Sequence, residues 1–181
     1  MSHGQFKLLE FYVSTYSVEG NIGKQTAIIF FIICILGNII NVIMEEGIFR
    51  GLFQKLFEQK YNFLLSAILS SLLFGFWHVV APLRSYYDGI ISFEEMFINI
   101  IILVVTSTLV GFKFSMMTKL TGNLYMSMGD HFVNNTIINI LHIVSKDGSI
   151  DKLLVMRISI AQTLSFLIVL IYFKLSKNEC S

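Results

Sequence analysis

The chain has 181 residues, of which 55% are hydrophobic and only 14% are charged, and its mean hydropathy is +0.72. Soluble domains carry charge on about a quarter of their residues, so this composition indicates a protein of the lipid bilayer. A formal net charge of +1 gives no reason to expect a nucleic-acid partner. The two cysteines, Cys34 and Cys180, lie far apart and predict neither a disulfide framework nor a metal cluster.

The predicted elements are helices that cross the membrane, each of which needs about 20 mostly apolar residues. Before them, residues 4–19 form either a helix in the membrane interface or a leader without fixed structure. No cleavable signal peptide is predicted, because the first apolar run begins too late and is too long. Five spans follow, at about Thr26–Met44 (continuing as a polar helix to Phe57), Phe63–Val80, Ile90–Phe112, Leu124–Val144 and Leu153–Phe173.

The predicted fold is therefore all-α, a polytopic transmembrane helical bundle of about five spans. Residues 26–174 form one domain, with a leader at 1–25 and a tail at 175–181. The predicted location is the membrane of a bacterial cell. The positive-inside rule places the N-terminus outside, because six basic residues lie on one side of the membrane and five on the other. The six are Lys55, Lys60, Lys113, Lys119, Lys174 and Lys177, and the five are Lys7, Lys24, Arg84, Lys146 and Lys152. The predicted loops are Glu58–Asn62, Arg84–Gly89, Lys113–Asn123 and Lys146–Lys152.

Polar groups interrupt the apolar runs at three places, and charged groups at membrane depth are usually retained for function or for pairing. The first place is Glu45-Glu46-Gly47-Ile48-Phe49-Arg50. Glu46 and Arg50 are one helical turn apart and can pair, while Glu45 points about 100° away. Such a pair would leave Glu45 to act as a general base. The alternative is an ordinary ion pair at a helix end in the membrane interface.

The second place is Phe74-Gly75-Phe76-Trp77-His78, at the end of the second span. Phe74 lies one turn before His78 on the same face and could fix the imidazole ring by packing. The alternative is a Trp–His pair in the aromatic belt of the membrane interface.

The third place is His131-Phe132-Val133-Asn134-Asn135, in the fourth span. His131 and Asn135 are four residues apart and present polar groups to one helix face, which Asn139 continues. The alternative is hydrogen bonding that only joins membrane helices.

Helix geometry brings these clusters to a common depth. If the chain turns near Lys60–Tyr61, then Glu45 and His78 each lie about 25 Å from the turn, on antiparallel helices. His131 and Asn135 could close the site from the fourth span. The sequence therefore predicts a carboxylate, two imidazoles and an amide around one pocket inside the membrane.

The three clusters resemble the motifs of the CAAX protease and bacteriocin-processing family, which includes the type II CAAX prenyl endopeptidases. The family pattern is EExxxR, then FxxxH, then HxxxN or HxxxD, each on a membrane helix. The resemblance covers about Thr26 to Val144. It implies an intramembrane endopeptidase whose partners are membrane lipids and a peptide or protein substrate at the membrane.

The resemblance also implies roles for individual residues. Glu45 would activate a water molecule with help from His78, and His131 and Asn135 would stabilise the oxyanion. Glu46 and Arg50 would hold the site's geometry. The implied catalytic residues are Glu45, Glu46, Arg50, His78, His131 and Asn135.

Two cofactor interpretations are open. We favour metal-free, glutamate-dependent chemistry, because the HExxH spacing typical of zinc proteases is missing. The alternative is a zinc ion on Glu45, His78 and His131 with one open position. The chain departs from the family in having at most one span before the first motif, so the N-terminal part of the substrate chamber is expected to be reduced or supplied by a partner.

Two other functions compete with the protease interpretation. Many bacterial members of the family that this chain resembles are linked to bacteriocin self-immunity. A non-catalytic immunity or scaffold protein is therefore the main alternative. A small transporter or proton-relay subunit would also use buried carboxylates. The sequence lacks the inverted repeat that transporters often show.

Overall fold

A computed structural model describes residues 9–13, 28–145 and 154–179. The helices are α1 (Ile28–Glu46), α2 (Gln54–Glu58), α3 (Phe63–Trp77), α4 (Val80–Tyr87), α5 (Phe93–Thr121), α6 (Tyr125–Ile140) and α7 (Leu154–Glu179). A π-helix at Gly47–Phe53 joins α1 to α2, and two short strands are β1 (Leu9–Val13) and β2 (Leu141–Ser145). The predicted all-α helical fold is confirmed, with one small strand pair added to it.

Four helical segments in the described part of the chain are long and apolar enough to cross a membrane. They are Phe31–Glu58, Phe63–Tyr87, Phe93–Thr121 and Met156–Ser176. Many of their large apolar side chains are exposed, as expected of a surface that faces lipid. The chain is a multi-pass membrane protein, as its composition predicted.

The predicted fourth span, Leu124–Val144, is only partly helical. Helix α6 has 16 residues and is about 24 Å long, shorter than the roughly 30 Å of a bilayer core. The prediction is wrong from Leu141 onward, where β2 replaces the helix. Ile143 and Val144 are β-branched, and such residues favour a strand once a partner strand is present.

That partner is β1, which pairs antiparallel with β2 from Leu9 opposite Ser145 to Val13 opposite Leu141. The interfacial helix considered for residues 4–19 is therefore wrong at Leu9–Val13. The remainder of that segment and the predicted loop Lys146–Lys152 lie outside the described residues.

Helix α5 is longer than the sequence predicted. A capping box between Ser92 and Glu95 starts it, and Gly122, at φ +72°, ends it. The predicted loop Lys113–Asn123 is therefore wrong as far as Thr121. The polar residues of this segment are accommodated in the helix because their hydroxyl groups donate to backbone carbonyls one turn earlier. For example, Ser115 Oγ donates to the Gly111 carbonyl at 3.1 Å.

The predicted loop Arg84–Gly89 is also helical, as far as Tyr87 in α4. The loop predicted at Glu58–Asn62 is confirmed in outline, because α2 ends at Glu58 and Asn62 caps α3. The Asn62 side chain accepts a hydrogen bond from the Leu65 amide at 3.0 Å.

The chain divides into two compact units, one of residues 1–43 and 129–152 and the other of residues 44–128 and 153–181. In the second unit α5 packs against both α3 and α7. The core of that unit is a cluster of Phe49, Phe74, Val110 and Phe114, with Phe53 and Met117 packed against it. In the first unit, Asn38 of α1 donates a hydrogen bond to Thr136 and accepts one from Asn139, which joins α1 to α6.

Candidate active site

The first motif forms a buried ion pair in the second unit. Arg50 Nη1 donates to Glu46 Oε1 at 3.0 Å, and both side chains are fully buried. The predicted pairing across one helical turn is therefore confirmed. Removing either partner of a buried ion pair leaves the other charge buried without compensation. The Glu46–Arg50 pair therefore stabilises this part of the site.

Aromatic rings complete the environment of Arg50. Its guanidinium carbon lies 4.2 Å from the Phe74 ring centroid and 5.1 Å from that of Phe114. Among the described residues, Arg50 Nε and Nη2 have no hydrogen-bond partner. The electron-rich ring faces supply the attraction that these N–H groups otherwise lack.

Gly111 on α5 provides the space for this guanidinium. A Cβ atom at that position would lie 2.8 Å from Arg50 Nη2 and 3.2 Å from Phe74 Cδ1. Any side chain there would collide with the ion pair's cation, so the missing side chain is what lets Arg50 sit between α3 and α5.

The backbone that carries the ion pair is a π-helix, a conformation that the sequence did not predict. It begins directly after Glu46 and covers the seven residues Gly47–Phe53. Such segments are rare and occur often at functional sites. No spacing in the sequence distinguishes it from an α-helix, because Glu46 and Arg50 pair at four residues in either case.

Glu45 lies in the last turn of α1, directly before the ion pair, and its side chain is buried. Because adjacent helical residues point about 100° apart, Glu45 presents its carboxylate in a different direction from Glu46. The motif therefore supplies two buried carboxylates with different surroundings.

His78 caps the C-terminal end of α3 and is held by Phe74 in two ways. The imidazole Nδ1 lies 2.8 Å from the Phe74 carbonyl oxygen, and the two rings are 4.7 Å apart in an edge-to-face arrangement. The predicted packing of Phe74 against His78 is confirmed. Since a carbonyl oxygen only accepts hydrogen bonds, Nδ1 carries a proton, and in the neutral ring Nε2 is the nitrogen that can accept one.

Gly75, within the same motif, allows α3 to approach α5 closely. A Cβ atom there would lie 2.7 Å from the Val104 carbonyl oxygen and would collide with Thr108 Oγ1. Backbone contact of this kind is typical of small residues between membrane helices. It fixes the position of the neighbouring Phe74 and His78.

The third motif lies in the first unit, on α6. His131 is buried and Asn135 is half-buried, one turn apart on the same helix. Further along the helix, Asn139 Nδ2 donates to Asn38 Oδ1 of α1 at 2.9 Å, and Asn38 Nδ2 donates to Thr136 Oγ1 at 3.3 Å. The polar stripe predicted on α6 therefore meets α1 through side-chain amides.

Lys113 is a buried charge that the sequence analysis placed in a loop. Its Nζ lies 3.1 Å from Ser165 Oγ and 3.4 Å from Gln162 Oε1, so it joins α5 to α7 in the second unit. The predicted third span ended at Phe112, one residue before Lys113. A longer predicted span would have placed this lysine at membrane depth.

A polar cavity of about 340 Å³ adjoins the ion pair. Three bases and one acid are among its lining residues, which include Arg50, Gln54, Lys55, Glu58, Thr118 and Lys119. The cavity lies at the ends of two candidate spans, at Glu58 and Thr121. It can hold water or a polar part of a substrate.

The zinc alternative, on Glu45, His78 and His131, takes residues from both compact units and stays a prediction. The described residues contain no group of three or more His, Cys, Asp and Glu side chains arranged to hold a metal ion.

The family model of the type II CAAX prenyl endopeptidase Rce1-like proteins matches residues 27–137. The chain belongs to this Rce1-like family. The match covers more than half of the sequence and includes all three motifs. It confirms the resemblance drawn from those motifs.

Neither the curated proteins nor the solved structures contain a match to the chain. Rce1-like proteins are CAAX prenyl endopeptidases, which are intramembrane proteases. The family therefore implies a peptide or protein substrate at the membrane.

Proposed function

We propose that this Rce1-like protein is a glutamate-dependent intramembrane endopeptidase that hydrolyses peptide bonds of membrane-associated proteins or peptides. The observation that carries the proposal is the fully buried Glu46–Arg50 pair beside the buried carboxylate of Glu45. Buried charges on apolar helices are costly. A purely structural bundle has no need of three buried charged side chains, Glu45, Glu46 and Arg50, within six residues.

In the proposed reaction Glu45 accepts a proton from water while the water oxygen attacks the carbonyl carbon of the scissile bond. The carbonyl electrons move to oxygen, and the resulting oxyanion accepts hydrogen bonds from His131 and Asn135. When the C=O bond re-forms, the C–N bond breaks and the proton passes from Glu45 to the leaving nitrogen.

His78 assists Glu45 in this scheme. Its Nδ1 donates to the Phe74 carbonyl, so Nε2 is the nitrogen that can orient the attacking water. Glu46 and Arg50 contribute indirectly, because their ion pair fixes the turn that carries Glu45.

The test is cleavage by the purified full chain in proteoliposomes. The substrates are a farnesylated peptide with a C-terminal CAAX sequence, its non-prenylated form, and a peptide on a membrane anchor of another kind. Products are identified by mass spectrometry. We expect Glu45→Gln to lower the cleavage rate about 10²- to 10⁴-fold, the usual contribution of a general base. Metal analysis of the same samples tests for stoichiometric zinc.

The matched control is Glu94→Gln, which makes the same chemical change at an exposed carboxylate in the first turn of α5. Full activity of this variant together with loss in Glu45→Gln supports the proposal. Undiminished cleavage by Glu45→Gln refutes it. A wild type that cleaves none of the peptides but protects cells from a bacteriocin, with or without Glu45, indicates an immunity protein instead.

A further inference from the structure

The polar cavity of about 340 Å³ lies wholly within the second unit, between two helical segments that end on the same side of the membrane. One wall is a face of the segment from the π-helix into α2, with the lining residues Arg50, Gln54 and Glu58 at four-residue spacing. The other wall is the end of α5 and the turn after it, from Thr118 to Leu124. The two candidate spans end here, at Glu58 and Thr121, so the cavity lies at the level where lipid headgroups begin.

The charged side chains that line the cavity leave one positive charge in excess. Arg50 is neutralised by Glu46, at 3.0 Å. Lys55 is neutralised by Glu58, at 2.7 Å. Lys119, the remaining lining base, forms no ion pair with another described residue. One bound monoanion would balance this charge.

Two further lysines lie at the same end of the unit. Lys60 is in the turn between α2 and α3. Lys174 directly follows Phe173, whose ring stacks at 5.8 Å on that of Phe63 at the start of α3. The first turn of α5, at the opposite end, carries two glutamates instead. The end with the cavity therefore attracts anionic headgroups, because each basic residue near a membrane surface adds to that attraction.

Gln54 supplies a buried hydrogen-bond acceptor in the wall of the cavity. The residue is 1% exposed, and its Nε2 donates to Glu58 Oε1 at 3.0 Å. Its Oε1 has no hydrogen-bond partner in the part of the chain that the structure describes. Because an unsatisfied buried acceptor is costly, a ligand hydroxyl that donates to this oxygen would bind favourably.

Apolar side chains beside the cavity indicate that the bound anion belongs to a lipid. Leu52 and Leu56, each next in sequence to a lining residue, are 51% and 48% exposed. Leu124 lines the cavity itself. Acyl chains attached to a headgroup in the cavity can extend along these leucines and remove their surface from water, which a free anion cannot do.

We propose that this cavity binds an anionic phospholipid whose headgroup carries hydroxyl groups. The phosphodiester lies at Lys119, and a headgroup hydroxyl donates to Gln54 Oε1. The bound lipid bridges the end of α2 and the end of α5, which form the two walls.

The first test measures lipid binding to the purified full chain in neutral detergent by native mass spectrometry. We expect phosphatidylglycerol to half-saturate the protein at a concentration about tenfold lower than phosphatidylcholine with the same acyl chains. Lys119→Gln should raise the half-saturating concentration of phosphatidylglycerol about fivefold, because it removes the excess charge. Lys174→Gln is the matched control, since it makes the same change at the same end but outside the cavity lining, and should change that concentration less than about twofold.

The second test addresses the hydroxyl contact. Phosphatidylmethanol carries the same phosphodiester charge without headgroup hydroxyls. The wild type should bind phosphatidylglycerol about threefold more tightly than phosphatidylmethanol, and Gln54→Met, which lacks the amide, should bind the two lipids equally. If Gln54→Met does not accumulate, Lys119→Gln decides the matter alone, because Lys119 is exposed and its substitution leaves the core intact.

The outcomes separate a lipid site from other anion sites. Equal affinity for phosphatidylglycerol and phosphatidylcholine, or for the wild type and Lys119→Gln, overturns the lipid site. Displacement of the lipid by inorganic phosphate also overturns it, in favour of a free anion. Displacement by a peptide with a free C-terminal carboxylate, but not by the peptide amide, overturns it in favour of a substrate contact. Since no measurement uses peptide cleavage, failure of the lipid site and failure of the endopeptidase proposal are distinguishable.

Discussion

Arg50 shows why a buried cation can be retained inside an apolar bundle. It donates to Glu46 at 3.0 Å and contacts the faces of Phe74 and Phe114, in a space left open by Gly111. A buried ion pair contributes little net stability over apolar residues of equal size, because desolvation offsets the attraction. The pair therefore does more to fix the geometry beside Glu45 than to raise the net stability of the bundle.

The buried position of Arg50 leads to a specific prediction about stability. We expect Arg50→Ala to destabilise the protein by about 3–5 kcal/mol, because it leaves the carboxylate of Glu46 buried without its cation. Arg50→Lys should not restore stability, since an ammonium lacks the planar surface that stacks on the rings. Thermal unfolding in detergent, followed by circular dichroism, measures both.

Arg84→Ala is the control for that experiment, because its pair with Asp88, at 3.5 Å, is exposed at the end of α4. Its expected effect is below about 1 kcal/mol. A loss for Arg50→Ala no larger than that of the control would show that the buried pair does not organise the site.

At the level of elements, α3 and α5 approach each other closely and together position motif residues. Gly75 brings the α3 backbone to Val104 and Thr108, and Phe74 then reaches both Arg50 and His78. The contact thus links the first motif to the second through one phenylalanine. The second motif is accordingly a packing device as well as a source of an imidazole.

Substituting Gly75 tests this link. Gly75→Ala should destabilise the protein by about 1–3 kcal/mol, because the new methyl group forces the two helices apart. It should also lower cleavage at least tenfold by moving His78. Adding Thr108→Ala should recover part of the loss, since it removes one of the two colliding groups.

Gly37→Ala on α1 is the matched control, because a Cβ there meets nothing within 4 Å. An alanine in a helix interior is expected to leave stability unchanged or raise it by up to about 1 kcal/mol. Equal effects of the two alanines would contradict a close approach of α3 and α5.

The elements also show how far sequence reasoning reaches. Contacts between residues one turn apart, such as Glu46 with Arg50 and Phe74 with His78, follow from helix periodicity and were predicted. The β1–β2 pair was not, because its strands lie about 130 residues apart and helix periodicity relates only residues that are close in sequence. The π-helix was missed because no local pattern encodes its extra residue per turn.

At the level of the whole molecule, the burial of Lys113 changes the argument about orientation. This lysine is bonded to Ser165 and Gln162 between α5 and α7, so it cannot count as a loop charge. The predicted majority of six against five then becomes five against five, and the positive-inside rule favours neither side. The prediction that the N-terminus lies outside therefore loses its support.

The pattern of spans still makes a prediction that does not depend on orientation. Because Phe63–Tyr87 and Phe93–Thr121 are both candidate spans, Tyr61 and Asn123 should lie on one side of the membrane and Gly89 on the other. Single cysteines at these three positions, in a chain with Cys34→Ser and Cys180→Ser, are labelled in intact cells with a membrane-impermeant maleimide. We expect either Gly89→Cys alone to react or Tyr61→Cys and Asn123→Cys together, with all three reacting after lysis. Labelling of Tyr61→Cys and Gly89→Cys from the same side would mean that α3 and α4 do not cross the bilayer, and the depth that the proposed site requires for His78 would be lost.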